Sequence, residues 1–255
     1  MTAIPNALQI WGQNRAVDAE LTVSSRTGTA ENLRDRDPEN CWVSSGSSDS
    51  VEESIRLMFR DAAGQPAAFG FDRVLLLNTN AKNLRGQYYA SSTGGGTAVP
   101  ELAAQNSAQD ALFQLSAPPF TPWGFSLHIQ DTRTAGQEKF LGELKLCKHL
   151  LTLDALTSFD RSDYAREGSY YLAGGGLVRW REFTRFAGTL TVKNLSKTGR
   201  DLLRRACLDY DFLTLAFFTE YDLRQTYDVA VAAPPRETFD RKTMLYEMTL
   251  EVKER

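Results

Sequence analysis

The sequence predicts a mainly β protein in two parts, and a small set of observations carries that prediction. Apolar–polar alternation recurs through the first half, with Ile55, Leu57 and Phe59 set against Arg56, Met58 and Arg60. Phe125, Leu127 and Ile129 alternate in the same way with Ser126, His128 and Gln130. This period-two pattern marks half-buried strands. Near Leu150 the composition shifts toward Tyr, Phe and Arg, which opens a second region. We therefore expect domains over residues 1–149 and 150–255, the second β-rich with one helix in the order β-β-α-β-β.

Taken in order, Val74 to Leu77 is an uninterrupted apolar run, as in a strand buried on both faces. Ser44 to Ser50, Gly64 to Pro66 and Ser91 to Pro100 have turn or loop composition. Glu101 to Leu112 is expected to form a short helix, with Pro100 at its first position. Leu144 and Leu146 flank Lys145 as strand residues. In the second region, Leu190 and Val192 sit among polar neighbours. Thr198 and Asp201 have capping-box spacing at the start of the clearest helix, with Leu202, Leu203, Ala206 and Tyr210 as its apolar face. Phe212 to Phe218 reads as a buried strand. Met244, Tyr246, Met248, Leu250 and Val252 alternate with Glu247, Thr249, Glu251 and Lys253 in a final strand.

The bulk numbers exclude several classes. With 42% apolar and 24% charged residues among 255, the chain reads as soluble and able to build its own core. A net charge of -3 gives no basic field for nucleic acid or anionic lipid. No stretch reaches the ~18 apolar residues of a membrane helix, and Met1 to Glu20 does not read as a secretory signal. Three scattered cysteines, Cys41, Cys147 and Cys207, form no disulfide framework and point to a reducing cytoplasm. Cys207 is expected to be a buried free thiol.

No catalytic, cofactor-binding or metal-binding residue is assigned, and the ligand-binding residues stay open. His128 falls on the polar phase of its strand, facing solvent or a partner. Cys147 and His149 are spaced to share a strand face, without an orienting base. Asp35 and Asp37 fit turn capping better than calcium binding. Asp160 and Asp163 invite a paired-carboxylate glycosidase reading, against loop-solvating acids. Tyr170, Tyr171 and Trp180 could stack on sugars or bases but fit core or interface residues better, and Arg179, Arg181 and Arg185, alternating with Trp180 and Phe183, fit a polar face or subunit interface better than a nucleic-acid patch. Neither Gly94–Gly96 nor Gly174–Gly176 is followed by the Lys-Ser/Thr of a P-loop, and the first reads as a connecting loop.

One series of residues resembles a known family. Asp35, Asp37 and Trp42 are followed by Ile55-Arg56-Leu57, then Asp72 to Leu77 and Asn78, and the series closes on Leu141-Gly142-Glu143-Leu144. From Asn14 to Leu146 this is similar to the discoidin, or galactose-binding-like, family. The resemblance implies an N-terminal jelly-roll sandwich that binds or bridges and does not catalyse, closed by Trp42, with Gly142 permitting a close backbone approach. Trp123-Gly124-Phe125-Ser126-Leu127-His128-Ile129-Gln130-Asp131 resembles the version found in bacteriophage tail proteins. The cysteine pair of secreted animal discoidins is missing.

The resemblance thus implies a structural component of a phage tail or tail-like particle, a baseplate or tail-tip adaptor. It would be assembled in the host cytoplasm and reside in the virion tail. Its partners would be other tail and baseplate proteins, in a homo-oligomeric ring. The alternative is a carbohydrate-binding module that recognises host surface glycans, and a third reading is a glycoside hydrolase. The sequence implies no cofactor, no nucleic acid and no membrane insertion.

Overall fold

Two sheets of a sandwich and one larger sheet account for nearly all the regular structure. The computed structural model describes residues 8–46, 51–116, 120–153, 156–171, 177–219 and 222–254. For residues 156–159, 163–168, 170–171, 177–184, 219 and 222–224 it describes the backbone alone. The chain divides into one unit of Asn14–Lys148 and a discontinuous unit of Met1–Gln13 with His149–Arg255.

After strand β1 (Leu8–Trp11), the strands of the first unit are β2 (Glu20–Val23), β3 (Trp42–Val43), β4 (Glu53–Met58), β5 (Arg73–Thr79) and β6 (Asn83–Tyr89). They continue as β7 (Gly96–Gln105), β8 (Ala111–Gln114), β9 (Gly124–Ile129) and β10 (Phe140–Cys147). Antiparallel pairing builds a five-stranded sheet, β2-β4-β9-β6-β7, and a four-stranded sheet, β3-β10-β5-β8. This is the jelly-roll sandwich. Its core is the predicted alternation made physical: Ile55, Leu57, Phe59, Phe125, Leu127 and Ile129 meet Val74, Leu76, Leu144 and Leu146. Each such side chain contributes about 1.5–3 kcal/mol by leaving water. Phe71 is the aromatic hub, edge-on to Phe59 at 5.8 Å and to Phe125 at 5.5 Å.

The closing residues behave as the resemblance implies. Trp42 is fully buried, and its indole N–H donates to the Ser25 carbonyl at 3.0 Å. Asp35 Oδ1 accepts from the Asp37 N–H at 2.9 Å, and Asp37 Oδ1 accepts from the Glu39 N–H at 3.1 Å. Asn40 Nδ2 donates to both carboxylates at 3.2 Å, so the pair caps a turn. At Gly142 a Cβ would stand 2.1 Å from the Pro38 carbonyl oxygen.

The segment expected as a helix, Glu101 to Leu112, is instead the end of β7, a loop and the start of β8. Pro100 sits where the β6–β7 register slips between Leu84 and Gly86, on the outermost strand of its sheet. Edge strands and bulges are where a sheet accepts a residue without an N–H.

The second unit contains β11 (His149–Leu153), β12 (Leu156–Tyr171), β13 (Leu177–Leu195), helix α1 (Lys197–Asp209), β14 (Leu213–Thr219), β15 (Asp222–Val231), β16 (Arg236–Asp240) and β17 (Leu245–Glu254). Their order across the sheet is β11-β1-β14-β15-β17-β13-β12, with β16 also on β17. The helix is thus preceded and followed by more strands than the β-β-α-β-β pattern allowed. The boundary also differs from the expected 149/150 cut, because β1 belongs here. It pairs antiparallel with both β11 and β14 and buries Leu8 and Ile10 in this unit's core. Both partners lie far away in sequence, so nothing local announces the pairing.

Helix α1 begins two residues earlier than its capping-box reading. Ser196 is the N-cap, its hydroxyl accepting from the Gly199 N–H at 3.1 Å, and Thr198 lies inside the helix. Leu203 and Ala206 are its buried residues, while Leu202 is 44% exposed. Met248, Leu250 and Val252 of β17 are buried as predicted, but Met244 lies in the preceding turn at φ 58. Among the described residues no helix is long and apolar enough to cross a membrane.

Candidate functional site

The outer face of the five-stranded sheet carries the most developed polar arrangement in the sandwich. Because Phe125, Leu127 and Ile129 of β9 point into the core, Ser126, His128 and Gln130 fall on the opposite face. The register sets Arg85 of β6 directly across from His128 on one side and Ser54 of β4 on the other. One step along the ladder, Ser126 lies between Gln87 and Arg56. Glu52, just before β4, reaches over this row.

Hydrogen bonds fix the row into one chain. His128 Nδ1 is 3.0 Å from Glu52 Oε1, and His128 Nε2 is 3.0 Å from Ser126 Oγ. The Tyr89 hydroxyl donates to Ser126 Oγ at 3.2 Å. A carboxylate only accepts, so an imidazole proton sits on Nδ1, facing Glu52. Arg85 Nη2 donates to the other Glu52 oxygen. The Arg56 guanidinium lies 4.4 Å over the Tyr89 ring. Burial pushes the Glu52 carboxyl upward, but the hydrogen bonds and charges of Arg85 and His128 outweigh it and hold the group below its ordinary 4.5.

Glutamate, histidine and serine in sequence of contact look like a hydrolytic triad, and burial argues against that use. Ser126 is only 1% exposed, and its oxygen already accepts from Tyr89. A nucleophile must reach its substrate. The chain of contacts instead holds His128 and Glu52 in place beside a recess of about 310 Å³. Glu52, Asn83, Arg85, Gln105, His128 and Gln130 supply its polar lining. Asn83 is itself steadied by donating to Asp131. The second unit has a smaller hollow of about 190 Å³ at the β16–β17 turn, lined in part by Lys193, Asp240 and Glu247. There Asp240 serves the turn itself, accepting from the Lys242 N–H and the Thr243 hydroxyl.

Other residues singled out in the sequence are not brought together. Cys147 ends β10 and is buried, whereas His149 begins β11 and contacts Thr152 Oγ1 at 2.8 Å, so they do not share one strand. Asp160 and Asp163 lie in β12, opposite Thr189 and Phe186, not in a loop. Asp160 is exposed, and the Asp163 side chain lies outside the described residues. Tyr170, Tyr171, Arg179, Trp180, Arg181 and Phe183 take part in the β12–β13 ladder, and their side chains lie outside the described residues. Gly174–Gly176 lies outside them as well. Arg185 is exposed. Among the described residues no group of three His, Cys, Asp or Glu side chains is placed to hold a metal ion.

His128 was the one member of the recess that sequence reasoning singled out. Arg85 was legible in principle, since Leu84, Gly86 and Tyr88 alternate with Arg85, Gln87 and Tyr89. Glu52 carries no local signal, because its partners come from β6 and β9.

No family model matches the chain. No curated protein matches it either. Solved structures are similar to about half of the chain at low identity. A chitosan-binding module from a chitosanase/glucanase of Paenibacillus sp. IK-5 is 19% identical, over 52% of this chain and 98% of that one, with a TM-score of 0.43. A chain of the Streptococcus pneumoniae beta-galactosidase BgaA is 12% identical, over 53% of this chain and 98% of its own, with a TM-score of 0.43. A Ruminococcus gnavus GH29 fucosidase in complex with fucose is 17% identical, over 54% of this chain and 27% of that one, with a TM-score of 0.44.

Proposed function

We propose that the sandwich unit is a non-catalytic carbohydrate-binding module that takes a neutral sugar in the recess on its five-stranded sheet. One observation carries this: a carboxylate, a guanidinium, an imidazole and three primary amides converge on a hollow of about 310 Å³. These planar groups offer donors and acceptors in pairs, which suits adjacent hydroxyls. The hollow has the size of a small ligand site. Arg85 and Glu52 already neutralise one another, so the recess does not call for a charged ligand. The contacts among His128, Ser126 and Tyr89 hold the lining before a ligand arrives, which lowers the entropy cost of binding.

A glycan array probed with the full chain, followed by calorimetry on the best neutral glycan, tests this reading. Gln130→Ala and Arg85→Ala should each weaken binding by about tenfold or more, the value of one or two lost hydrogen bonds. Silence across neutral glycans, or binding indifferent to both substitutions, would remove it.

A second reading is favoured by a different feature. The chain would be a structural component of a phage tail or related particle, resident in the virion and assembled in the host cytoplasm. The long β12–β13 hairpin supports it, as does the resemblance of Trp123 to Asp131 to tail-protein strands. A tail protein could also use the sandwich to grip a host glycan. Co-purification with tail-tube or baseplate proteins, read by negative-stain imaging, tests it; a chain that joins no particle ends it.

A further inference from the structure

The β12–β13 hairpin is longer than the sheet that supports it. Strand β13 pairs with β17 only from Ala187 onward. Where that pairing stops, Glu254 Oε2 accepts the Phe186 N–H at 2.8 Å, so a side chain takes the last ladder position. Beyond it, Leu177–Phe186 pairs with Asp163–Tyr171 and, among the described residues, with nothing else. Among the described residues the other edge of β12 is the outer limit of the sheet.

An isolated two-stranded ribbon is marginal in water and gains stability from a third strand. Free edges are usually blunted by charged side chains, Lys above all, or by Pro. Residues 156–171 and 177–186 contain neither Lys nor Pro. They contain Tyr164, Tyr170, Tyr171, Trp180 and Phe183 together with several Arg, the composition of protein interfaces.

We infer that the free edge of β12 pairs antiparallel with β12 of a second copy of this chain, about a twofold axis at Tyr164. The charge pattern along the strand selects both the occupant and the register. A twofold centred on Arg161, Asp163, Arg166 or Glu167 sets that charge against itself, and one centred on Ala165 opposes Asp163 to Glu167. Centred on Tyr164, the pairing sets Arg161 opposite Glu167 of the second copy at both ends. Asp163 then faces Ala165 and Arg166 faces Ser162, so no like charges meet. Twofolds at Ser162, Gly168 and Ser169 also avoid like charges but overlap a shorter part of the overhang. The inference holds whichever ligand the sandwich takes.

Light scattering on the full chain should give twice 28.5 kDa in a concentration-dependent manner. Tyr164→Cys should form a disulfide-linked dimer, since directly opposed residues lie ~4.5–5.5 Å apart at Cα, within disulfide reach. Asp160→Cys, placed opposite Gly168, should not, nor should the wild type with its three native cysteines. Glu167→Arg should weaken dimerisation about tenfold by opposing two Arg pairs. A chain monomeric at every soluble concentration would overturn the inference. So would a dimer that Tyr164→Cys fails to cross-link, one cross-linked equally through Asp160→Cys, or one indifferent to Glu167→Arg.

Discussion

Glu52 Oε1 stands 3.0 Å from His128 Nδ1, tying the segment that enters β4 to the middle of β9. With Arg85 on its other oxygen, Glu52 is the acceptor on which the recess is organised. The same contact makes a pH prediction. The folded group lies below its ordinary 4.5, burial opposing and the Arg85 and His128 contacts prevailing. A depressed carboxyl stabilises the fold above the unfolded value, and that contribution is lost as pH falls through the folded one. Wild type should therefore lose its advantage over Glu52→Gln between about pH 5 and pH 3. The gap will be small, because the side chain is 30% exposed and solvent screens it. Thermal melts of both proteins across that range measure it, and parallel curves would refute the assignment.

Gly142 and Gly70 form a matched test of the close approach in β10. A Cβ at Gly142 meets the Pro38 carbonyl oxygen at 2.1 Å, and backbone cannot rotate away. Gly70 has nothing within 4 Å. Gly142→Ala should cost at least about 1–3 kcal/mol, the range for overpacking, while Gly70→Ala should stay within about 0.5 kcal/mol. Urea denaturation of the two variants decides it, and equal midpoints would sink the argument.

The sandwich was legible because its signals are local. Ile55-Arg56-Leu57 and Phe125 to Ile129 state their own burial, and Asp35, Asp37 and Asn40 cap a turn within one short segment. The failures share a cause. Strand β1 has four residues and two partners more than 130 residues further along the chain, β11 and β14. Pro100 and the residues after it mimic a helix start, but pairing with β6 holds them extended. The recess was mostly hidden for the same reason. His128 showed as a polar-phase residue, whereas the Glu52 and Arg85 beside it come from other strands and only tertiary pairing joins them.

The start of α1 separates two candidate caps. Ser196 Oγ accepts the Gly199 N–H, whereas Thr198 lies inside the first turn. Ser196→Ala should destabilise the chain by about 1 kcal/mol. Thr198→Ala should be neutral or slightly stabilising, since Ala is the better helix former. Thermal unfolding of both variants checks the order, and a larger loss at Thr198 would restore the capping box.

Cys207 and Cys41 should be slow thiols for different reasons. Cys207 is half-buried and not fully buried as expected, and that burial pushes it up to about 11. For Cys41, burial comes first and the nearby Glu39, Asp35 and Asp37 carboxylates add to it. The thiolate is the nucleophile, so at pH 8 roughly one Cys207 in a thousand would be reactive. Its alkylation by iodoacetamide should rise about tenfold per pH unit and level off near pH 11 while the fold persists. Cys147, buried at the end of β10, should label only on unfolding. Peptide mass spectrometry of timed labelling separates the three sites. Labelling of Cys207 at pH 8 as fast as an unstructured cysteine would mean that α1 does not shield it, and the packing described for Leu203 and Ala206 would need revision.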